Sequence, residues 1–415
     1  MTGPPDDVRM RGFHSRIPLE EALSRIVDAT APLGKAEEVA VSAAAGRLLA
    51  SDARAPRPVP AFDRSAMDGY AVKAERTFPA TSYDPVVLEV AGESLPAAPF
   101  EGRLSGARAV RIMTGAPLPA GADAVVPAEF AEEDRGFVRL SGPVAPGKNV
   151  SGAGEDLAEG AVALPEGRVL RPQDLGLLAS IGLGRVRVAP RPRVGVLATG
   201  DEIVRAGATL EPFQVFDANT PMLTGLVDRW GGTLASSTLQ PDEGPRLRRA
   251  LGRILASPSV DLVLVTGGTS VGAEDQMPGL LADLGRLIFH GVALRPAGPT
   301  GFGVAGGKPV FLLPGNPVSC LCGFDLLAGP CLRRLQGLPA LPPYARARVP
   351  LARRLSSVAG RTDYARVSLG EKGAEPISVS GASVLTTATR ADGFVVVPSA
   401  VEGWDEGEVV EVHLY

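Results

Sequence analysis

The chain has 415 residues, 45% of them hydrophobic and 21% charged, which excludes a wholly disordered protein and exceeds what one ordinary core can serve. Its formal net charge of −4 argues against a nucleic-acid binder held mainly by phosphate contacts. The apolar runs, such as Val260–Val265, are far too short to cross a bilayer, and Met1–Phe13 carries no apolar run of a secretory signal. A cytoplasmic protein of several domains, with neither membrane nor nucleic acid as partner, is therefore expected.

In chain order, Leu19, Leu23, Ile26 and Val27 make one apolar face, predicting a helix with acids in its first turn and Ser15 as a candidate cap. A second short helix is expected over Val41–Leu49. From Pro56 the texture changes to short β-like runs, Val86–Ala91, Ala109–Met113, Ala124–Pro127 and Phe137–Leu140, between Gly/Pro turns. Val144–Gly160 is turn-rich, and Pro172–Ile181 reads as a helix returning to the first region. From Pro190, strands alternate with helices. Val194–Thr199, Asp261–Val265 and Pro309–Leu313 are buried strands, and Thr233–Thr238 is strand-like. Thr220–Trp230, Pro245–Leu255, Gln276–Leu284 and a segment ending at Leu335 are helical. Such alternation predicts right-handed crossovers and a parallel sheet covered on both faces. Leu338–Pro343 reads as a linker, and Ala345–Tyr415 is again β-rich. Cys320, Cys322 and Cys331 lie among apolar neighbours without a CxxC pair, so buried free thiols are expected. His14, His290 and His413 carry no motif.

The chemistry concentrates where the strong strands end. Thr199-Gly200-Asp201-Glu202 follows the first. Thr266-Gly267-Gly268-Thr269-Ser270-Val271-Gly272 follows the second, and Leu313-Pro314-Gly315-Asn316-Pro317-Val318-Ser319 the third. In an open α/β sheet, ligands bind beyond the carboxyl ends of the strands, and glycines there let backbone approach a ligand closely. Each loop alone is also ordinary turn chemistry; three at one sheet edge point to a phosphate or oxyanion crevice. Glu202, Asp242 and Asp275 crowd the same loops. Acids beside an anion site repel it unless a divalent cation lies between them, so they are candidate Mg²⁺ ligands. Asp242 is equally placed to cap the following helix.

These loop sequences, with Thr-Gly-Gly-Thr-Ser-Val-Gly-x-x-Asp leading to Leu-Pro-Gly-Asn-Pro-Val-Ser, resemble the central domain of the molybdopterin molybdenumtransferases (the MoeA and gephyrin E-domain family), itself similar to the MogA fold. Phe62-Asp63-Arg64-Ser65-Ala66-Met67-Asp68-Gly69-Tyr70-Ala71-Val72 and Ile112-Met113-Thr114-Gly115-Ala116-Pro117 resemble blocks of the MoeA arrangement, as do Gly154-Glu155-Asp156 and Asp217-x-Asn219. The resemblance implies a multi-domain α/β and β protein. Its parts would be an elongated, partly helical dimerisation domain (15–55 plus 145–189), a β-rich domain (56–144), a MogA-like three-layer α/β domain with a parallel-type sheet (190–337) and a C-terminal β-barrel (338–415). It implies insertion of molybdenum from molybdate into adenylylated molybdopterin with release of AMP, Mg²⁺ taking part. A homodimer is also implied, with the cleft between subunits and with a MogA-type adenylyltransferase and molybdoenzymes as protein partners. The catalytic positions carried over are Asp68, Thr114, Asp156, Glu202, Asp242 and Asp275. The substrate would be bound by Thr199, Gly200, Gly267, Gly268, Ser270, Gly272, Arg295, Pro314, Gly315, Asn316, Pro317 and Ser319.

Three departures from the family pattern remove charge or alter a turn. The Lys-Pro-Gly-Lys-Pro segment is here Arg295-Pro296-Ala297-Gly298-Pro299, an expected arginine is Ser151, and a Gly-Ser-Gly turn has become Gly381-Ala382-Ser383. Lys148, Arg361 and Arg366 are the candidates to compensate, and a lysine restored at Gly298 is expected to tighten molybdate binding. A non-catalytic carrier or docking paralogue is the alternative these losses favour; an ATP-consuming adenylyltransferase is a third reading.

Overall fold

The computed structural model describes residues 16–268, 276–378 and 381–415. Two compact units are formed, one by Glu38–Val188 and the other by the chain up to Glu37 together with Ala189–Tyr415.

The Glu38–Val188 unit carries a six-stranded sheet in the order Ala124–Pro127, Gly69–Val72, Arg108–Ile112, Val86–Ser94, Phe137–Leu140, Ala131–Asp134. Alternate residues bury on opposite faces: Tyr70, Val72, Ala109 and Val126 lie in one cluster, Ala71, Val110, Ile112 and Val125 in the other. A separate core joins Val41, Leu49 and Ala53 to Leu164, Leu170, Leu178 and Val188, so two distant chain segments share one interior. The helix expected over Val41–Leu49 does not form. Val41–Ala43 is a single 3₁₀ turn, and Leu48 and Leu49 pair as bridges with Val169 and Val188. Those pairings, available only after the chain returns, outcompete the alanine-rich local preference for helix.

The second unit is built on a six-stranded sheet whose strands, in chain order, are β1 (Arg193–Thr199), β2 (Thr233–Gln240), β3 (Leu262–Thr266), β4 (Gly285–His290), β5 (Gly301–Ala305) and β6 (Lys308–Leu313). Their spatial order is β2-β1-β3-β6-β5-β4, with β2, β1, β3 and β6 parallel, β5 antiparallel to β6, and β4 antiparallel to β5. The sheet is thus mixed: the edge strand β2 is the one expected over Thr233–Thr238, whereas the glycine-rich β5 and the other edge strand, β4, were not legible as strands. Side chains alternate strictly. Val194, Val196, Leu262, Leu264, Phe311 and Leu313 bury toward one layer, whereas Leu197, Val263, Val265, Val310 and Leu312 bury toward the other. The first layer contains the helices Leu19–Asp28, Asn219–Arg229 and the continuous helical run Pro317–Leu335, with the three free cysteines buried in it. Gly244–Ala256 and Met277–Leu284 cover the opposite face. Three layers result. Leu19–Asp28 begins after Pro18, which gives no side-chain cap; Ser15, the expected cap, lies outside the described residues. No helix among the described residues is long and apolar enough to cross a membrane.

The chain after residue 344 forms a second β-rich layer, in which Thr362–Gly370, Gly393–Val397, Val409–Leu414 and Ala345–Pro350 pair in that order. It is fastened to the α/β layers through Asp325, which is fully buried in the helical run. The Asp325 carboxylate accepts the Tyr344 hydroxyl at 2.6 Å and the Tyr364 hydroxyl at 2.8 Å. Burial raises its pKa from 3.8 to about 6, the two tyrosines opposing that shift. The folded chain therefore holds this proton at pH values where the unfolded chain has lost it. Stability from this group falls as pH rises from about 4 to 6 and is lowest above that. Tyr344→Phe removes one donor from the charged carboxylate, with an expected loss of about 1.5–3 kcal/mol at pH 8 that shrinks toward pH 5. Denaturant unfolding at the two pH values checks this; equal losses would mean that Asp325 stays protonated throughout.

Candidate functional site

A pocket of about 980 Å³ opens at the carboxyl ends of β1, β3 and β6, within the range of small-molecule sites. Of the positions read from sequence, Thr199, Gly200, Glu202, Asp242, Gly267, Gly268, Arg295, Pro314, Gly315, Asn316, Pro317 and Ser319 all line it. Ser270, Gly272 and Asp275 lie outside the described residues. Asp68, Thr114 and Asp156 belong to the other unit, and all three are exposed there. Asp68 accepts both the backbone N–H and the hydroxyl of Thr114, at 2.6 and 2.7 Å, and these bonds hold its pKa below the ordinary carboxylate value. Asp156 donates its N–H to the Val59 carbonyl at 3.0 Å.

The loops meet closely because glycine stands where they touch. Gly267 has φ +93°, and a Cβ there would lie 2.0 Å from the Thr199 carbonyl oxygen, so the β1 and β3 loops pass each other only without a side chain. The Thr199 hydroxyl donates to the Asp242 carboxylate, and Gln276 Nε2 donates to the Asp242 backbone carbonyl at 3.2 Å. Asn219 opens its helix at the floor, donating to Thr266 Oγ1 and the Gly315 carbonyl, both at 2.7 Å. Its own Oδ1 is buried without a hydrogen-bond partner, as is Arg295 Nε. Buried polar atoms are rarely left so, and a ligand that donates at one point and accepts at the other would satisfy both. The amide of Val318, at the start of the helical run, is already bonded to the Ala382 carbonyl at 3.0 Å; that first helix amide is not open to an anion, contrary to the simple expectation for such termini.

The pocket carries both signs of charge. Glu202, Asp217 and Asp242 line it, as do Arg295, Arg361 and Arg16. Asp363, fully buried, holds two of the cations: its Oδ2 accepts Arg295 Nη2 at 2.8 Å and its Oδ1 accepts Arg361 Nε at 3.0 Å. Ser357 Oγ adds a third bond at 2.9 Å. Of the compensating cations considered from sequence, Arg361 lines the pocket; Arg366 is fully buried and does not, and Lys148 belongs to the other unit. Gly381, Ala382 and Ser383, the altered turn, also line it. Sequence reading passed over Asp363 and Arg16, which carry no local motif. It matched Asp217 and Asn219 without assigning them to the site.

On the acidic side, no group of three His, Cys, Asp or Glu among the described residues could hold a metal alone. Mg²⁺ needs no such group, because it keeps waters and takes one or two carboxylates together with substrate phosphates. Glu202, whose Oε2 lies 2.8 Å from where a Cβ on Gly200 would sit, and Asp242, whose Oδ1 is 3.5 Å from the same construction on Gly268, both edge the glycine loops and fit that donor set.

A three-layer α/β unit whose glycine loops line one pocket at the carboxyl ends of parallel strands defines the class of small-molecule-binding α/β proteins. The comparisons give the family. Residues 17–182 match the MoeA N-terminal region (domain I and II), 195–334 the probable molybdopterin binding domain and 348–415 the MoeA C-terminal region (domain IV). The chain is 33% identical over 402 residues to the molybdopterin molybdenumtransferase of Haemophilus influenzae, covering 95% of this chain and 97% of the relative. With that of Bacillus subtilis it is 34% identical over 407 residues, covering 96% and 94%. The crystal structure of the molybdopterin biosynthesis MoeA protein from Pyrococcus horikoshii OT3 superimposes with a TM-score of 0.83 at 30% identity, covering 97% of this chain and 100% of that one. The chain belongs to the molybdopterin molybdenumtransferase (MoeA) family.

Two substitutions test the construction of the pocket. Gly267→Ala is expected to cost about 2–4 kcal/mol through left-handed strain and the clash with Thr199; an unchanged thermal midpoint would mean that the loops separate freely. Asp363→Asn leaves two arginines without their buried counter-charge and is expected to destabilise the fold by about 3–5 kcal/mol, read by calorimetry.

Proposed function

We propose that the protein inserts molybdenum from molybdate into adenylylated molybdopterin, with release of AMP. The observation that carries this reading is one pocket lined by glycine loops, acids and a clamped arginine group. The family relatives bear the corresponding name.

The substrate offers a phosphoanhydride and the second reactant is a tetrahedral oxyanion, so the site must hold two anionic groups close together. The arginine side supplies charge for the oxyanion, Arg295 and Arg361 being pre-oriented by Asp363 so that little side-chain freedom is lost on binding. The loops at Gly267, Gly268 and Gly315 let the backbone approach the pterin phosphate, and Asn219 Oδ1 accepts a donor from the bound molecule. Glu202 and Asp242, with Asp275 as the third expected ligand, would hold Mg²⁺, which supplies charge neutralisation to a phosphoanhydride undergoing cleavage. No side-chain nucleophile is required: the attacking group is water or the oxyanion itself. Thr199 fixes the orientation of the Asp242 carboxylate.

Asp68, Thr114 and Asp156 enter the same proposal through a homodimer, in which they would complete the cleft of the partner subunit. The exposed Met67 and Met113, at 40% and 37%, flank Asp68 and Thr114 and give that surface apolar area to cover. The four-domain division, a cytoplasmic location, and docking of an adenylyltransferase and of molybdoenzymes belong to the same reading.

Glu202→Gln and Asp242→Asn are expected to lower the rate of Mg²⁺-dependent AMP release from adenylylated molybdopterin at least about 100-fold, in line with loss of a charged group at a phosphoryl centre. Pterin binding, followed by fluorescence, should change far less. Full turnover in both variants, or tight pterin binding by the wild type with no AMP formed, would overturn the enzymatic reading in favour of a carrier.

A further inference from the structure

Gly298 lines the pocket without a side chain, and the structure fills the space beside it from elsewhere. Ile17 lies alongside Val292: Ile17 N–H donates to the Gly291 carbonyl at 3.3 Å and Ala293 N–H donates to the Ile17 carbonyl at 2.8 Å. On its other side the same stretch receives Thr362 N–H at the Ala293 carbonyl, at 2.8 Å, and Leu294–Arg295 then runs parallel to Thr362–Asp363. Three extended segments thus lie side by side, and each carries an arginine where it reaches the pocket: Arg16, Arg295 and Arg361. The loop that follows folds back, Val292 N–H bonding the Gly298 carbonyl at 2.9 Å. This brings Gly298 against Arg16, so that a Cβ on Gly298 would sit 3.5 Å from both Cζ and Nη1 of the Arg16 guanidinium. A longer side chain at 298 would compete for the volume the guanidinium uses.

We propose that Arg16 is a specificity-determining cation of the oxyanion side of the pocket, seated in the space that the absent side chain of Gly298 leaves open. The inference rests on the function proposed above and adds a residue to it. Arg16 precedes the first helix and is exposed, and the Ile17 pairing sets its backbone beside the stretch that leads to Arg295. A guanidinium presents a planar fork of donors to an oxyanion, which one ammonium cannot match in geometry. The expectation from sequence for position 298 is then reversed: a lysine there meets a cation already in place and gains nothing.

The test uses the full-length protein, with molybdate as the probe and thermal midpoints as a folding control. Arg16→Ala is expected to weaken molybdate, measured as KM in the AMP-release assay and as Kd by calorimetry, about 10- to 100-fold, the range for one charge-assisted bond. The KM for adenylylated molybdopterin should stay unchanged. Gly298→Lys alone should leave molybdate affinity the same or lower it, and the double variant Arg16→Ala/Gly298→Lys should recover part of the loss, because the ammonium then has the seat to itself. A wild-type molybdate affinity in Arg16→Ala overturns the inference, as does a tighter affinity in Gly298→Lys. A rise confined to the pterin KM also overturns it, since Arg16 would then be serving the substrate phosphate. Arg361→Ala separates the two levels of argument: molybdate binding lost there but kept in Arg16→Ala rejects Arg16 and spares the pocket. If the wild type binds molybdate yet forms no AMP, the function fails while the Arg16 comparison is still decided by Kd.

Discussion

The Asp363 carboxylate is the point on which the site turns. It is fully buried in the C-terminal β layer and ties down two arginines, one from its own strand and one from the loop that leaves the α/β layers. A buried carboxylate is costly unless its lone pairs are met, and here two guanidinium groups and the Ser357 hydroxyl meet them. The same contacts that satisfy the acid aim the cations. The interaction that satisfies the acid thus also orients two pocket arginines, and the C-terminal layer lines the pocket through Arg361 and residues 381–383.

Around that clamp, the pocket carries both signs of charge. Three carboxylates, Glu202, Asp217 and Asp242, line it together with the three arginines. In the function proposed above, a cation-assisted phosphate would lie by the acids and a bare oxyanion by the arginines, so that neither meets only like charge. The glycine loops make the distances short enough for this to matter: Gly267 passes the Thr199 carbonyl with no space for a methyl group. Asp325 repeats the theme away from the site, where two tyrosine hydroxyls keep a buried acid tolerable and lock the C-terminal layer to the helices.

How much of this was legible in the sequence follows from the range of the interactions. An unbroken buried apolar run, as in Val194–Thr199, Leu262–Thr266 and Pro309–Leu313, is a local pattern, so the parallel core of the sheet, its strand ends and the glycine loops could be read directly. The strands Gly285–His290 and Gly301–Ala305 could not. Glycine weakens the local signal of Gly301–Ala305, and pairing with Lys308–Leu313 is what holds it extended. The Val41–Leu49 segment failed for the opposite reason: a fair helical signal yielded to pairing with chain more than a hundred residues away.

By itself the sequence determined the three-layer α/β core, the loops that approach the ligand, and the acids placed on them, because hydrophobic period and turn chemistry act between near neighbours. Only the tertiary structure brought the cations to one pocket. Arg295 and Arg361 could be named from the sequence, but their meeting with Arg16 is made by hydrogen bonds between segments far apart in the chain, and no residue beside Arg16 records it. Charge at a pocket depends on what folding places there, because pairing between distant segments leaves no local pattern.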